Sequence, residues 1–336
     1  MKIFSNPICH IQLAVLTLAW ASTQALSFAA QAPGQREQLQ RIDAALQAGE
    51  ADKAIGELGA LPQDGAGIAE AQNLACRVHV MLHHWDAAVE DCQRAVQLDR
   101  KNARYHLWLA RAYGEKADHA SFLSAYSLGK MAREEFEQAA RLDPRDADAL
   151  ADLGDFYQQA PGIVGGGVDK AEQVAQQLDS VDAARAHQLR ARIAEGRSDY
   201  GTAEREFKAA ITVSAHPALH WTTLASFFRR RQRWQDLDLA IHNAFTAASR
   251  DKHATIAFYD GAGVLTEAKR DPILAAKLLV AYLASDTRTE EGPSFEAHLR
   301  LAWLMHQLGD QPTAQRERAT ALALAHDYKP ALEAKF

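Results

Sequence analysis

Residues 69–102 read AEAQNLACRVHVMLHHWDAAVEDCQRAVQLDRKN. With residue 69 as position 1, small side chains fall at position 8 (Cys76), position 20 (Ala88) and position 27 (Ala95). His79 stands at position 11 and Cys92 at position 24. Two antiparallel helices approach closely only where their facing side chains are small, and larger neighbours then fill the seams. The same register carries outward. Upstream, residues 35–68 place Gly49 at a turn and Ala54 at position 20. Downstream, Ala110, Ala132 and Ala139 occupy positions 8, 20 and 27 of residues 103–146. Residues 147–183 carry Leu153, Gly154, Tyr157 and Ala171; residues 184–217 carry Ala191, Ala203, Phe207 and Ala210. Residues 218–251 carry Leu224, Ala225, Phe228 and Ala244, and residues 295–328 carry Leu301, Ala302, Ala314 and Ala321. Residues 252–294 fit least well; Pro272, Ala275, Leu279 and Tyr282 are expected to mark their second helix. The 67 alanines, about a fifth of the 336 residues, therefore serve a periodic packing need as well as helix propensity.

The 69–102 unit resembles a tetratricopeptide repeat over all its positions, including the closing Leu-Asp. That resemblance implies an all-α fold, a right-handed α-solenoid of about eight tetratricopeptide-like hairpins spanning 30–336. Each hairpin leaves an apolar face for the next to cover. Another helical-hairpin solenoid is the alternative. Two units depart from the pattern at the join between their helices. The first insertion falls in Gly114–Gly129, GEKADHASFLSAYSLG, where Phe122, Leu123 and Tyr126 stand at helical spacing as an apolar stripe. The second is Ala160–Lys170, APGIVGGGVDK. Together with YHLWLARAYGEKA at 105–117, this stretch resembles a group of exported bacterial tetratricopeptide proteins, and the resemblance brings no catalytic residues.

The N-terminus differs from everything after it. Lys2 is the only charge before Arg36, an apolar run covers residues 11–20, and small and polar residues follow. This order predicts a secretory signal peptide over residues 1–29, cleaved after Ala29, with Ala25 as second choice. No later segment is apolar enough to span a membrane, so a periplasmic or secreted chain is expected. The whole chain carries a net charge of −6, which offers no basic bias toward nucleic acid.

In this fold, positions 2, 5, 9 and 12 of each first helix line a concave face. Read in register, that face presents Arg77, then Arg104 and Arg111, then Asp148 and Asp155, then Arg185 and Arg192. Two readings are open: ion pairs between repeats, or a groove for a peptide of mixed charge. The insertion edge, with Phe122, Tyr126, Gly165, Gly166 and Gly167, is the other candidate partner surface. The glycine run could present amides to an anion, which is the basis of the alternative reading as a ligand binder or enzyme, but it lacks GxxxxGK[ST] and a preceding strand. His79, His83, His84 and His106, and the pair His216 and His220, have spacings that can hold zinc. No HExxH occurs, and His106, His187 and His298 recur at position 4, a packing position, so no metal and no cofactor are expected. The expected function is a non-catalytic scaffold binding a protein or peptide partner. Cys76 and Cys92 lie on facing helices near the distance limit for a disulfide, leaving a bond and two buried thiols equally open. Thiol counting on the denatured, unreduced protein separates them: a bond leaves neither cysteine titratable.

Overall fold

The structure, a computed structural model, describes residues 33–62 and 67–336; the expected signal peptide lies outside these. Among the described residues the helices pair into eight successive hairpins. These are α1 (Pro33–Gln47) with α2 (Ala51–Gly59), α3 (Ile68–Met81) with α4 (Trp85–Leu98), and α5 (Ala103–Asp118) with α6 (Phe122–Leu142). Next come α7 (Ala147–Gln159) with α8 (Val168–Leu178), α9 (Ala183–Gly196) with α10 (Tyr200–Val213), and α11 (Pro217–Arg230) with α12 (Trp234–Ala248). The last two are α13 (Ile256–Glu267) with α14 (Pro272–Leu283) and α15 (Ser294–Gln307) with α16 (Gln311–Leu324), closed by the short α17 (Lys329–Glu333). The chain is an all-α solenoid, as its periodicity predicts.

Local chemistry sets the helix starts. Asn102 accepts a hydrogen bond from the Arg104 amide at 3.1 Å. Asp146 accepts from Asp148 and Ala149, and Asp182 from Ala184 and Arg185. Each satisfies amides that the first helical turn leaves without partners. Asp199 and Asp310 do the same for second helices α10 and α16. Small residues then set the seams. Cys76, Ala88 and Ala95, and likewise Ala191, Ala203 and Ala210, are all buried where paired helices meet. Cys76 and Cys92 are joined by a disulfide across α3 and α4, their Cα atoms 5.2 Å apart.

The ends of the array meet. One apolar cluster joins the second to the fifth hairpins, and another joins the fifth to the eighth. A third joins Ile42, Leu46 and Leu74 from the N-terminal hairpins to Phe295, Leu299, Tyr328 and Ala331 from the C-terminal end. The three clusters form a closed circuit, so neither end bears the exposed apolar face of an open solenoid. Polar contacts reinforce the junction. The Ser294 hydroxyl donates to the Ala48 carbonyl at 2.5 Å, and the His326 amide donates to Asp52 at 3.0 Å. The poor fit of residues 252–294 now has a cause: after α14 the chain runs through a strap, residues 284–293, before α15 begins.

Gly49, at the α1–α2 turn, shows how tight the junction is. Its φ is +69°, and a Cβ there would sit 2.1 Å from the Ser294 backbone nitrogen. Gly309, at the turn of the last hairpin, has φ +85° with open space around it. Gly309→Ala is expected to cost about 1–2 kcal/mol through left-handed backbone strain alone. Gly49→Ala adds a backbone clash and is expected to cost at least about 1 kcal/mol more. Denaturant unfolding followed by circular dichroism checks this; equal losses would mean that the first turn is not wedged against α15.

Candidate functional site

Where the strap crosses it, the concave face is covered by the chain itself. Arg77, read as a concave-face residue and candidate partner contact, is 1% exposed. Its guanidinium donates to both carboxylate oxygens of Glu290 in the strap, at 2.8 and 2.9 Å, and pairs with Asp43 of α1 at 2.8 Å. Gln47 also holds Glu290, donating to its side chain and accepting from its amide. This corrects the sequence reading of Arg77 as a candidate partner contact: burial and two carboxylate partners leave it nothing to offer a ligand. The other concave charges pair between repeats. Arg104 lies beside Asp43 and Glu70, Arg185 pairs with Asp148 at 2.6 Å, and Arg192 with Asp155. Arg111 pairs with Asp152 at 2.6 Å and stacks over Trp108. Asp152, at position 6 of its unit, escaped the sequence reading because that reading followed only positions 2, 5, 9 and 12.

The histidines are spent separately. His106, His187 and His298, all at position 4, meet Glu135, Glu206 and Glu317 at 2.5–2.7 Å. Each acid stands at position 23 of its own unit, so one polar pair recurs across three hairpins. His79 reaches Asp91, His216 reaches Asp251 and His220 reaches Gln188. His83 stacks on Trp85. The zinc spacings therefore do not converge on a shared ligand position. The basic run at 229–233 is likewise engaged: Arg229 with Glu267, Arg230 with Glu195, Arg233 with Glu204 and Asp236, and Arg231 over Tyr200.

The insertion edge is different. The first insertion is not a loop; it lengthens α5 and starts α6 early, so α6 has 21 residues and projects past its neighbours. Phe122 and Leu123, at its tip, are 77% and 79% exposed. The second insertion turns back over α6. Val164 is buried over Gly129, where an added Cβ would lie 3.5 Å from it, and Arg133 donates to the Val164 carbonyl at 3.4 Å. Ile163 beside it is left 63% exposed. Between the two insertions lies a cleft of about 620 Å³. Its walls include Phe122, Tyr126, Phe136, Phe156 and Ile163, and its polar lining includes Arg111, Glu115, Asp118, Asp152 and Asp155. Burial lifts the Asp152 carboxyl above the ordinary carboxylate range, against the pull of Arg111. Burial also lifts Glu115, helped by the neighbouring Asp118 carboxylate.

Gly165, Gly166 and Gly167 shape this edge and are not part of the cleft lining. Gly165 is left-handed at φ +95°, and a Cβ on Gly166 would sit 1.8 Å from the Ala160 carbonyl oxygen. Their amides are already committed: Gly165 donates to Gly162, Gly166 to Pro161, and Gly167 to Tyr157. Lys170 donates to the Gly165 carbonyl at 2.8 Å and lies over the Tyr157 ring. An anion would have to break these bonds to use the amides of the glycine run.

No protein-family model matches the chain, and no curated protein matches it. Among solved structures, it is similar to a thermophilic tetratricopeptide protein of Thermus thermophilus, at 18% identity and TM-score 0.48, covering 58% of this chain and 98% of that one. It is also similar to a tetratricopeptide repeat protein of Parabacteroides merdae, at 13% identity and TM-score 0.45, covering 90% of this chain and all of that one. The hairpin array with small-residue seams is itself an all-α solenoid.

The occupied concave face has a pH signature. Burial pushes the Asp260 carboxyl up to about 6; Arg300 opposes this and Glu291 of the strap adds to it. A carboxyl raised in the folded state favours folding while protonated, and that contribution is lost as pH rises from about 4 through about 6. Asp260→Asn removes the loss. Thermal melts should show the variant close to wild type near pH 4 and more stable near pH 8, by on the order of 1–3 kcal/mol. A constant difference at both pH values would place the effect elsewhere.

Proposed function

We propose that this protein is an exported, non-catalytic scaffold that docks a protein partner in the cleft between its two insertions. The observation that carries the reading is the contrast between two surfaces. The concave charges are satisfied within the chain, whereas Phe122, Leu123 and Ile163 expose large apolar groups around a formed cleft. Apolar side chains grouped on a rigid edge at a cleft mark interaction sites more often than scattered ones do. Export is supported by the order of residues in the first 29 positions and by the Cys76–Cys92 disulfide, since such bonds persist in oxidising compartments.

A photo-crosslinking residue at Ile163 is expected to give a discrete adduct in cells, lost in Phe122→Asp. The same residue at Val213, exposed on another hairpin, is expected to give none. Phe122 is so exposed that its substitution should change stability by less than about 0.5 kcal/mol, so loss of the adduct would report on docking. Adducts of equal yield at both positions would overturn the reading. Protein recovered from the envelope is expected to begin at Ala30 by mass and to carry no free thiol; a chain retaining residues 1–29 would exclude cleavage.

A further inference from the structure

The cleft also has a sign. Of its five charged lining residues one is a cation, Arg111, and that cation is held by Asp152. Asp155 is held by Arg192 from the next repeat. Glu115 and Asp118, one turn apart near the C-terminal end of α5, have no ion-pair or hydrogen-bond partner among the described residues. The neighbouring bases are engaged elsewhere: Lys116 pairs with Asp86, His119 stacks on Trp85 and acts on Glu115 only through space, and Arg133 braces the returning loop. The cleft thus combines aromatic and aliphatic walls with two unneutralised carboxylates at one end.

Resting on the docking reading above, we infer that the cleft takes an amphipathic peptide segment of a protein partner, with an apolar anchor set between the insertions and a flanking Lys or Arg against Glu115 and Asp118. An acidic segment would place like charge beside carboxylates that have no compensating cation. A neutral apolar one would cover them and leave their charge without a partner, which is costly. A basic side chain instead lays its alkyl stem along the aromatic wall and brings its charge to the carboxylates. The cleft volume, about 620 Å³, suits a few anchor side chains of a helix or strand and not a folded domain.

Three synthetic amphipathic peptides of one length test this. All share a Leu/Phe face, and their polar faces carry Lys, Gln or Glu. Binding to the mature protein is followed by calorimetry at low and at moderate salt. The Lys peptide is expected to bind roughly tenfold or more tighter than the Gln peptide at low salt, the Glu peptide to bind weakest, and the gap to narrow as salt rises. Glu115→Gln with Asp118→Asn is expected to bring the Lys peptide down to the Gln peptide while leaving the latter unchanged. Phe122→Ser with Ile163→Ser is expected to abolish all binding; both pairs lie on exposed surface, and circular dichroism confirms folding. Equal affinity of the three peptides, lost in the Phe122/Ile163 variant, would overturn the charge inference and leave the docking reading standing. Binding of all three that survives the Phe122/Ile163 variant, or no binding by any, would overturn both. Self-association removed by the same variant would assign the cleft to a second copy of the chain and overturn the inference.

Discussion

Everything in this molecule depends on how closely two helices can approach. A hairpin of this length has little core of its own, and its stability comes from interfaces with its neighbours. Those interfaces form only if the crossing points carry small side chains. Cys76, Ala88 and Ala95 meet that need in the second hairpin, and Ala191, Ala203 and Ala210 in the fifth. Larger residues between them, such as Phe207 and Leu224, then fill the seams to interior density. The disulfide sits at one of these crossings. Cysteine at both positions is small enough for the seam, and the seam brings the two sulfurs together.

A short-range packing rule repeated eight times has a long-range result. The superhelix returns its last hairpin to its first, and Phe295, Tyr328 and Ile42 share a core. Closure removes the two apolar ends that open solenoids must cap. It also draws the strap at 284–293 across the concave face, where Glu290 meets Arg77 and Gln47. Burying Arg77 is tolerable only because two carboxylates and Trp108 surround it. The part of the concave face around Arg77 therefore belongs to the closure, and the insertions supply a separate accessible cleft.

Much of this is legible in the chain. The eight units, the seam alanines and the two irregular stretches follow from spacing alone. The apolar stripe of Phe122 and Tyr126 was visible as a helical pattern, and it lines the cleft. Other features were not legible, for identifiable reasons. Arg77 and Arg104 occupy equivalent faces of adjacent units, yet one is sealed by a loop more than 200 residues away and the other is half-exposed. The recurring pairs of His106 with Glu135, His187 with Glu206 and His298 with Glu317 were hidden because an acid at position 23 looks like any solvated helix charge. The glycine run looked like an anion cradle because sequence shows that amides are present and not where they point.

The sequence by itself determined the repeating unit, the number of hairpins and which edge breaks the pattern, because these rest on interactions between residues close in the chain, whose period is written directly in side-chain size. Only the tertiary structure decided that the array closes, that the strap seals Arg77 on the concave face, and that Glu115 and Asp118 are left without ion-pair partners beside an apolar cleft. Those outcomes depend on small rotations between successive hairpins, summed over the whole chain, and no local pattern records such a sum.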